Sequence, residues 1–438
     1  MKKCVDAPAL SWWQLSLIGV GCIIGTGFFL GSSIAIQKSG PSVLIAFFLA
    51  AVGTYIVFNA MARMTVEYPE RGSFRTFAKK AYGKSAGFGA GWIFWTSEML
   101  IMGSQLTALA IFTQVWFPSL PLWLLATVYA VIGLTIILLG VDDFERVENI
   151  FGLIKVAAII MFIIIGSLAL FGVLEVKKES VMEQQGLGTY FEKGTIGLWT
   201  ALIYAFYTFG GIEVMGLMAT ELKDKGDAPK SGKLMLIALA VMYKVSIGFV
   251  LLLVSWKEIS IDESPFLTAL NDYNLPYIPH VFNGMLIVAG FSTMVAALYG
   301  VTTMIVTLSK DGDAPKAFSK KGRLDVPVPA LVLTAGGLIA SIVISLIFPE
   351  KMYEYITTAA GLMLLYTWLL ILLSFVKLMK KNMWDWMKIS LGGVLILLAV
   401  SGTLFDETSR PGLYVSLLFL IIIGSTAWLR NLKKSDVV

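Results

Sequence analysis

Twelve long apolar runs set the terms on which this chain can fold. They cover residues 15–36, 41–62, 87–117, 121–140, 149–174, 195–220, 233–256, 281–308, 327–348, 352–376, 388–405 and 411–430. Each is near or above the roughly 20 residues a helix needs to cross hydrocarbon. In that medium every backbone N–H and C=O must find a partner inside the protein, which leaves packed helices as the solution for runs of this length. With 57% hydrophobic and only 14% charged residues, the composition lies outside the range of soluble domains. The expectation is an all-α integral membrane protein with twelve transmembrane helices.

Orientation follows from the basic residues. Of the 34 Lys and Arg, 25 fall on the side of the N-terminus, seven on the other side, and two (Lys155 and Lys244) within apolar runs. That bias places both termini in the cytoplasm of a multi-pass protein in the cell membrane. The net charge of +5 then reflects topology and not a nucleic-acid partner. The first run lacks a cleavage site, so the first helix is expected to direct insertion. Cys4 and Cys22 offer no disulfide framework, and His280 is the single histidine. P-loop and HExxH patterns are absent from the sequence, so neither an ATP-driven pump nor an enzyme is indicated, and no cofactor or metal is expected. The segment from Arg63 to Lys84, basic with Phe74, Phe77 and Tyr82 interleaved, is expected along the inner membrane surface.

Within the first run, Gly19-Val20-Gly21-Cys22-Ile23-Ile24-Gly25-Thr26-Gly27 is unusual. Each glycine weakens a helix by roughly 1 kcal/mol against alanine. Two readings are open: close approach of a neighbouring helix, or a helix unwound at mid-membrane around a small-molecule site. A second interruption, Tyr204-Ala205-Phe206-Tyr207-Thr208-Phe209-Gly210-Gly211-Ile212-Glu213, falls in the sixth run. Broken spans five apart suggest a five-plus-five inverted repeat with broken helices 1 and 6, which favours the site. The chain then forms one transport domain over 1–438, with repeats at about 15–174 and 195–379 and two accessory helices, 11 and 12, over 388–430.

These motifs resemble the amino acid–polyamine–organocation superfamily, and within it the bacterial amino acid permeases. The resemblance rests on Gly21 to Gly31 with Ser39-Gly40-Pro41, Pro69-Glu70-Arg71-Gly72-Ser73-Phe74, Gly91-Trp92 with Trp95, and Gln105-Leu106-Thr107-Ala108. It continues in Phe209 to Glu221, Leu298-Tyr299, Lys310-Asp311-Gly312-Asp313-Ala314-Pro315 and Val326-Pro327-Val328-Pro329. Arg63, Gln105 and Thr302-Thr303 depart from the family pattern.

A zwitterionic amino acid between two unwound helices needs donors for its carboxylate and acceptors for its ammonium, and half-helix ends supply both from the backbone. The resemblance implies Thr26, Gly25 and Gly27, with the backbone from Ile23, for the carboxylate. Ile23 and Ile24, with Ala205, Phe206 and Thr208, are the acceptor candidates. Tyr207 aligns with an aromatic that closes over substrate from outside in the family; without the resemblance, an aromatic on a helix face is more often core or lipid-facing. Glu213 is a charge deep in a span and therefore a functional candidate, which the resemblance places in the outer gate region; a structural hydrogen-bonding role is the alternative.

Lys155 stands where proton-coupled members carry a lysine in place of sodium, with Ser292 and Thr293 as its implied neighbours. By depth alone it lies two turns from the inner interface and could snorkel. Lys244 lacks such an analogy and is expected to snorkel or pair. Glu98, where relatives usually have an uncharged residue, would favour a cationic substrate (Lys, Arg, ornithine) unless it is paired within the protein or protonated; neutral amino acids stay open. The expected function is secondary active amino acid transport, with a proton as coupling ion and the lipid bilayer as surroundings. Exchange without proton coupling and non-transporting nutrient sensing are the alternatives. Neither the amino acid nor the oligomeric state is legible in spacing.

Overall fold

In a computed structural model the described residues are 10–70, 72–139, 144–175, 190–219, 222–320, 327–347 and 351–435. Cys4, Arg71, most of the loop over 175–194, Thr220, Glu221 and Val326 lie outside them. Among the described residues the chain is helical, with α1 Trp12–Ile23, α2 Thr26–Phe29, α3 Gly31–Ser39, α4 Val43–Glu67, α5 Ser73–Tyr82 and α6 Lys84–Gln114. There follow α7 Leu122–Leu139, α8 Phe144–Leu170, α9 Gly194–Tyr207, α10 Ile212–Met218, α11 Ala228–Leu253 and α12 Pro265–Asn271. The chain closes with α13 Ile278–Lys310, α14 Val328–Ile347, α15 Met352–Leu378, α16 Met383–Gly402 and α17 Arg410–Ser435. Among the described residues seven stretches are long and apolar enough to cross a membrane, as in a multi-pass membrane protein.

Every apolar run is helical in its described part, and the exceptions to continuity are informative. α1 has 12 residues and α9 has 14. At about 1.5 Å per residue each covers roughly 20 Å, short of the roughly 30 Å hydrocarbon core. Each is continued, after a break, by a second helix.

These breaks occupy the interior of the bundle. α1 packs on α8, α10 and α11, while α3 lies along α9. α4 packs against α9, α11 and α16; α6 lies between α13 and α15. The four-residue α2 is too short to hold itself, and aromatic packing fixes it. Phe28 stacks on Tyr243 of α11 with ring centroids 3.8 Å apart, and meets Phe266 of α12 at 5.1 Å. Phe29 contacts Phe266 and Phe282 edge-on, and Phe162 of α8 closes the cluster. Each such pair contributes about 0.5–1.5 kcal/mol beyond area burial.

The segment over 63–84 differs from the expectation. Arg63 belongs to α4 and bridges to Asp385 at the start of α16, at 2.6 Å. α5 is bracketed by Gly72 and Gly83, whose φ of +104° and +88° favour glycine. Its Phe74 and Phe77 are buried, and Arg75 bonds Asp311 and Asp313 at 2.6 and 2.5 Å. Asp313 also pairs with Arg430 of α17 at 2.5 Å. α5 is thus packed into the protein by its aromatics, and its buried arginine is committed to partners there. Lys244 stands exposed on α11, its ammonium 5.0 Å from the Phe48 ring.

At the opposite end, Lys38 gathers α3, α15 and the α16–α17 turn. Its Nζ lies 2.9 Å from Glu354, 2.8 Å from Asp406 and 2.5 Å from Thr408 Oγ1. The buried Tyr204 hydroxyl of α9 joins through Glu354 at 3.1 Å, Thr358 at 2.9 Å and Ser409 at 2.8 Å. Burial opposes ionisation of Asp406, but Lys38, Ser409 and Thr408 hold its carboxyl below the usual carboxylate range. A carboxyl so depressed contributes stability above its unfolded pKa and loses it as pH falls through the folded value. The melting temperature in detergent is therefore expected to fall with acidification below about pH 4. Asp406→Asn should cost about 2 kcal/mol at neutral pH and flatten part of that acid limb. A variant that melts like the parent at every pH would show that the network does not hold these elements.

Candidate functional site

The two interruptions face each other. Helix α1 ends at Ile23, Gly25 is extended, and α2 begins at Thr26. Ile23 and Ile24 are buried at this turn. α9 ends at Tyr207, and Gly211, with φ of +111°, starts α10. A Cβ added at Gly211 would lie 3.3 Å from Ile23 Cγ1 and 3.4 Å from the Cys22 carbonyl oxygen, so the second break is pressed against the first. A residue other than glycine would be strained there twice over, by φ and by space.

Helix starts leave N–H groups unpaired, and helix ends leave C=O groups unpaired. On the first break, Gly25 O accepts from Phe28 and Phe29, while the Thr26 and Gly27 amides open the new helix. Thr26 O accepts from the Tyr353 hydroxyl of α15 at 3.2 Å, and Thr26 Oγ1 is buried without a partner. On the second break the chain partly satisfies itself. Ala205 O takes the Thr208 hydroxyl at 2.8 Å, Phe206 O the Phe209 amide, and Tyr207 O the Gly210 amide. Thr208 O accepts from Tyr243 at 3.4 Å. A carbonyl has two lone pairs, so these oxygens retain capacity for a further donor.

The Tyr207 ring covers the first break. A Cβ at Gly27 would sit 3.0 Å from Tyr207 Cε1, and the Tyr207 hydroxyl bonds Ser104 of α6 at 2.7 Å. Thr293 of α13 covers Gly25 in the same way, its Cγ2 3.0 Å from an added Cβ, while its hydroxyl bonds Ala289 and Gly290 carbonyls within its own helix. Ser292 is buried beside it on α13, which packs on α8.

Lys155 is fully buried on α8, and its Nζ donates to the Gly21 carbonyl at 2.9 Å. Lys155 lies three turns into α8, which begins at Phe144, and its buried ammonium is turned to α1. Glycine makes the contact possible: Gly21 and Gly152 meet through their Cα atoms, each 3.1–3.4 Å from a Cβ built on the other.

Glu213 is on α10, which packs on α1, α4 and α5. Its carboxylate accepts from the Gly211 amide at 3.0 Å and from the Trp368 indole N–H of α15. Phe206 packs edge-on against the same indole, with centroids 6.0 Å apart. Glu98 is on α6 and 8% exposed.

Ser104, Tyr353, Trp368 and Tyr243 were not singled out from sequence. Ser104 directly precedes the Gln105-Leu106-Thr107-Ala108 motif, which was a usable signal; the other three sit in apolar or aromatic-rich runs that carry none.

Residues 14–423 match the amino acid permease family model. The chain is 55% identical over 99% of its length, and 97% of the relative's, to the uncharacterized transporter YcgH of Bacillus subtilis. It is 31% identical to the uncharacterized amino acid permease YvbW of the same organism, over 82% of this chain and 81% of that one. The aromatic amino acid transport protein AroP of Escherichia coli is 28% identical, over 94% and 93% of the two chains.

The tight cover of the first break gives an expected outcome. Gly27→Val should push the Tyr207 ring from Ser104 and lower stability in detergent by about 1–3 kcal/mol. Gly248→Ala, where an added Cβ meets open space, should not. Equal melting of the two variants would contradict the packed contact.

Proposed function

The chain belongs to the amino acid permease family, whose members are transporters and not enzymes, and from that premise we propose secondary active uptake of an amino acid with protons, by alternating access. The observation that carries this reading is the pair of facing helix breaks, with a buried lysine bonded to the last turn of the first. The proposed architecture is twelve spans in a five-plus-five inverted repeat, 15–174 and 195–379. Broken spans α1–α3 and α9–α10 correspond in the two halves, and α16 and α17 form the accessory pair over 388–430. Both termini lie in the cytoplasm and the protein in the cell membrane, consistent with the distribution of basic residues.

In this mechanism the substrate carboxylate takes the amides of Gly25, Thr26 and Gly27, where the half-helix dipole adds to the hydrogen bonds. The α-ammonium takes carbonyls of Ile23, Ile24, Ala205, Phe206 and Thr208. Tyr207, resting on Gly27 and tied to Ser104, closes over the bound molecule. Lys155 supplies the coupling step. Its ammonium holds the Gly21 carbonyl, and release of its proton removes a charge-assisted hydrogen bond that ties α1 to α8. Ser292 and Thr293, on the α13 face against α8 and the first break, support the lysine and Gly25 respectively. Glu213, fastened by Trp368 and Gly211, links the α10 half-helix to α15 and couples closure to occupancy.

The test is uptake into proteoliposomes, with a panel of labelled amino acids and an imposed inward proton gradient. Uphill uptake should collapse with a protonophore. Lys155→Ala should lose accumulation by tenfold or more, a barrier or affinity change of about 1.4 kcal/mol at least, while counterflow persists. Accumulation that ignores the gradient and requires internal substrate would replace symport with exchange. Binding without any flux would point to a sensor.

A further inference from the structure

Tyr243 of α11 belongs to neither interrupted span, yet it touches both. Its ring lies flat on Phe28 of α2, with centroids 3.8 Å apart and planes 7° apart. The same ring meets Phe209, in the turn between α9 and α10, at 5.3 Å. Its hydroxyl donates to the Thr208 carbonyl, at the end of α9, at 3.4 Å. The side chain is fully buried, and Phe47 of α4 packs edge-on against it at 6.3 Å. The other tyrosines at the breaks differ. Tyr353 donates to Thr26 on the first break, and Tyr207 is itself the last residue of α9.

The ring and the hydroxyl call for separate explanations. A phenylalanine fills nearly the same space and stacks as well, so packing accounts for the ring. The hydroxyl is a polar group buried among aromatic rings, where loss of water is costly unless a bond offsets it. That bond goes to a carbonyl whose helix has just ended, and it takes one lone pair while leaving the second for another donor. The ligand explains why this carbonyl needs fixing. On an α-amino acid the ammonium and the carboxylate leave one carbon, so acceptors on one break and donors on the other must keep register to about 0.5 Å. Contact of Gly211 with Ile23 limits how near the breaks come, but it places no single atom. α2 is one turn, so Phe28 moves with the amides of Thr26 and Gly27. Tyr243 joins that turn to Thr208 O through one rigid ring.

We infer that Tyr243 is a positioning residue, which registers the Thr208 carbonyl against the first half-helix and so favours molecules whose ammonium and carboxylate share one carbon. The inference rests on the reading of the chain as an amino acid transporter with its substrate between the breaks. Tyr243 acts through its two neighbours and not by touching substrate: Phe28 carries the position of the donors, and Thr208 O is the acceptor. Removing either contact frees one break from the other while the aromatic cluster stays filled. A molecule with its two charged groups set further apart gains nothing from the register and loses nothing with it.

The experiment measures proteoliposome uptake of the twenty labelled proteinogenic L-amino acids, then competition against the best of them by its β-homologue, which has one more methylene between ammonium and carboxylate. Wild type should prefer the α-form by at least about tenfold. Tyr243→Phe, which keeps the ring, should raise KM about tenfold and leave the maximal rate and inhibition by the β-homologue within about twofold, so that the preference falls toward one. Phe28→Leu should act in the same direction, and the double variant should be no worse than the poorer single, because both cut one link. Tyr243→Phe should melt within about 3 °C of wild type. A preference unchanged in Tyr243→Phe overturns the inference, as do effects that multiply in the double variant. A Tyr243→Phe protein that does not fold overturns it too, by showing that the hydroxyl holds the fold and not the register. A wild type that takes α- and β-forms alike overturns it and leaves transport intact. Wild type that moves and exchanges none of the twenty overturns the transport reading itself.

Discussion

A single bond between an ammonium and a backbone carbonyl organises this interior. Helix α1 cannot continue past Ile23, so carbonyls of its last turn have no amide to receive, and in an apolar bundle an unmet carbonyl costs more than in water. Lys155 answers one of them, Gly21 O, from a neighbouring helix. The same bond meets the lysine's own need, because a buried ammonium also requires acceptors. Two costly features thus offset each other. The arrangement fixes how close α8 must come to α1, and α13 and α11, which both pack on α8, take their places around that pair.

Around this centre the structure contrasts two kinds of holding. The rings of Phe28, Phe29, Phe162, Phe266 and Phe282 grip the short α2 by shape and burial. Charges grip the bundle at its two ends: Lys38 with Glu354 and Asp406 at one, Arg75 and Arg430 with Asp313 at the other. Apolar packing acts at short range and has no preferred partner, whereas each charge cluster is satisfied by one arrangement of the elements it joins. Both clusters include α17 or the turn that leads into it, so the last two helices are tied into the core at each end.

Much of this was legible in the sequence. Hydropathy gave the helices, because run length and the need for backbone pairing leave little freedom. Glycine spacing located both breaks, since glycine is tolerated in a helix but seldom repeated four times in nine positions without cause. The burial of Lys155 was not legible from its depth in the run, because it depends on the close meeting of α8 with α1 at Gly152 and Gly21. The surroundings of Glu213 were not legible, because the packing of a short helix after a break is set by tertiary contacts. Arg63 and Arg75 read as a basic surface because their partners, Asp385, Asp311 and Asp313, lie more than two hundred residues away. The Trp368 bond to Glu213 joins residues 155 apart in the chain, and an indole in an apolar run carries no mark of its partner.

The meeting of Gly21 and Gly152 has a mechanical meaning. Where two helices touch through Cα atoms alone, no side chain interlocks with its opposite, and no rotamer must change for one helix to turn on the other. Such a contact behaves as a bearing: it holds the axes at a fixed distance yet resists rotation weakly. What resists is the tether beside it, three residues along α8, where the Lys155 ammonium reaches across. Separation and rotation of α1 are therefore governed by different parts of the same interface, the first by two hydrogen-sized side chains and the second by a charge.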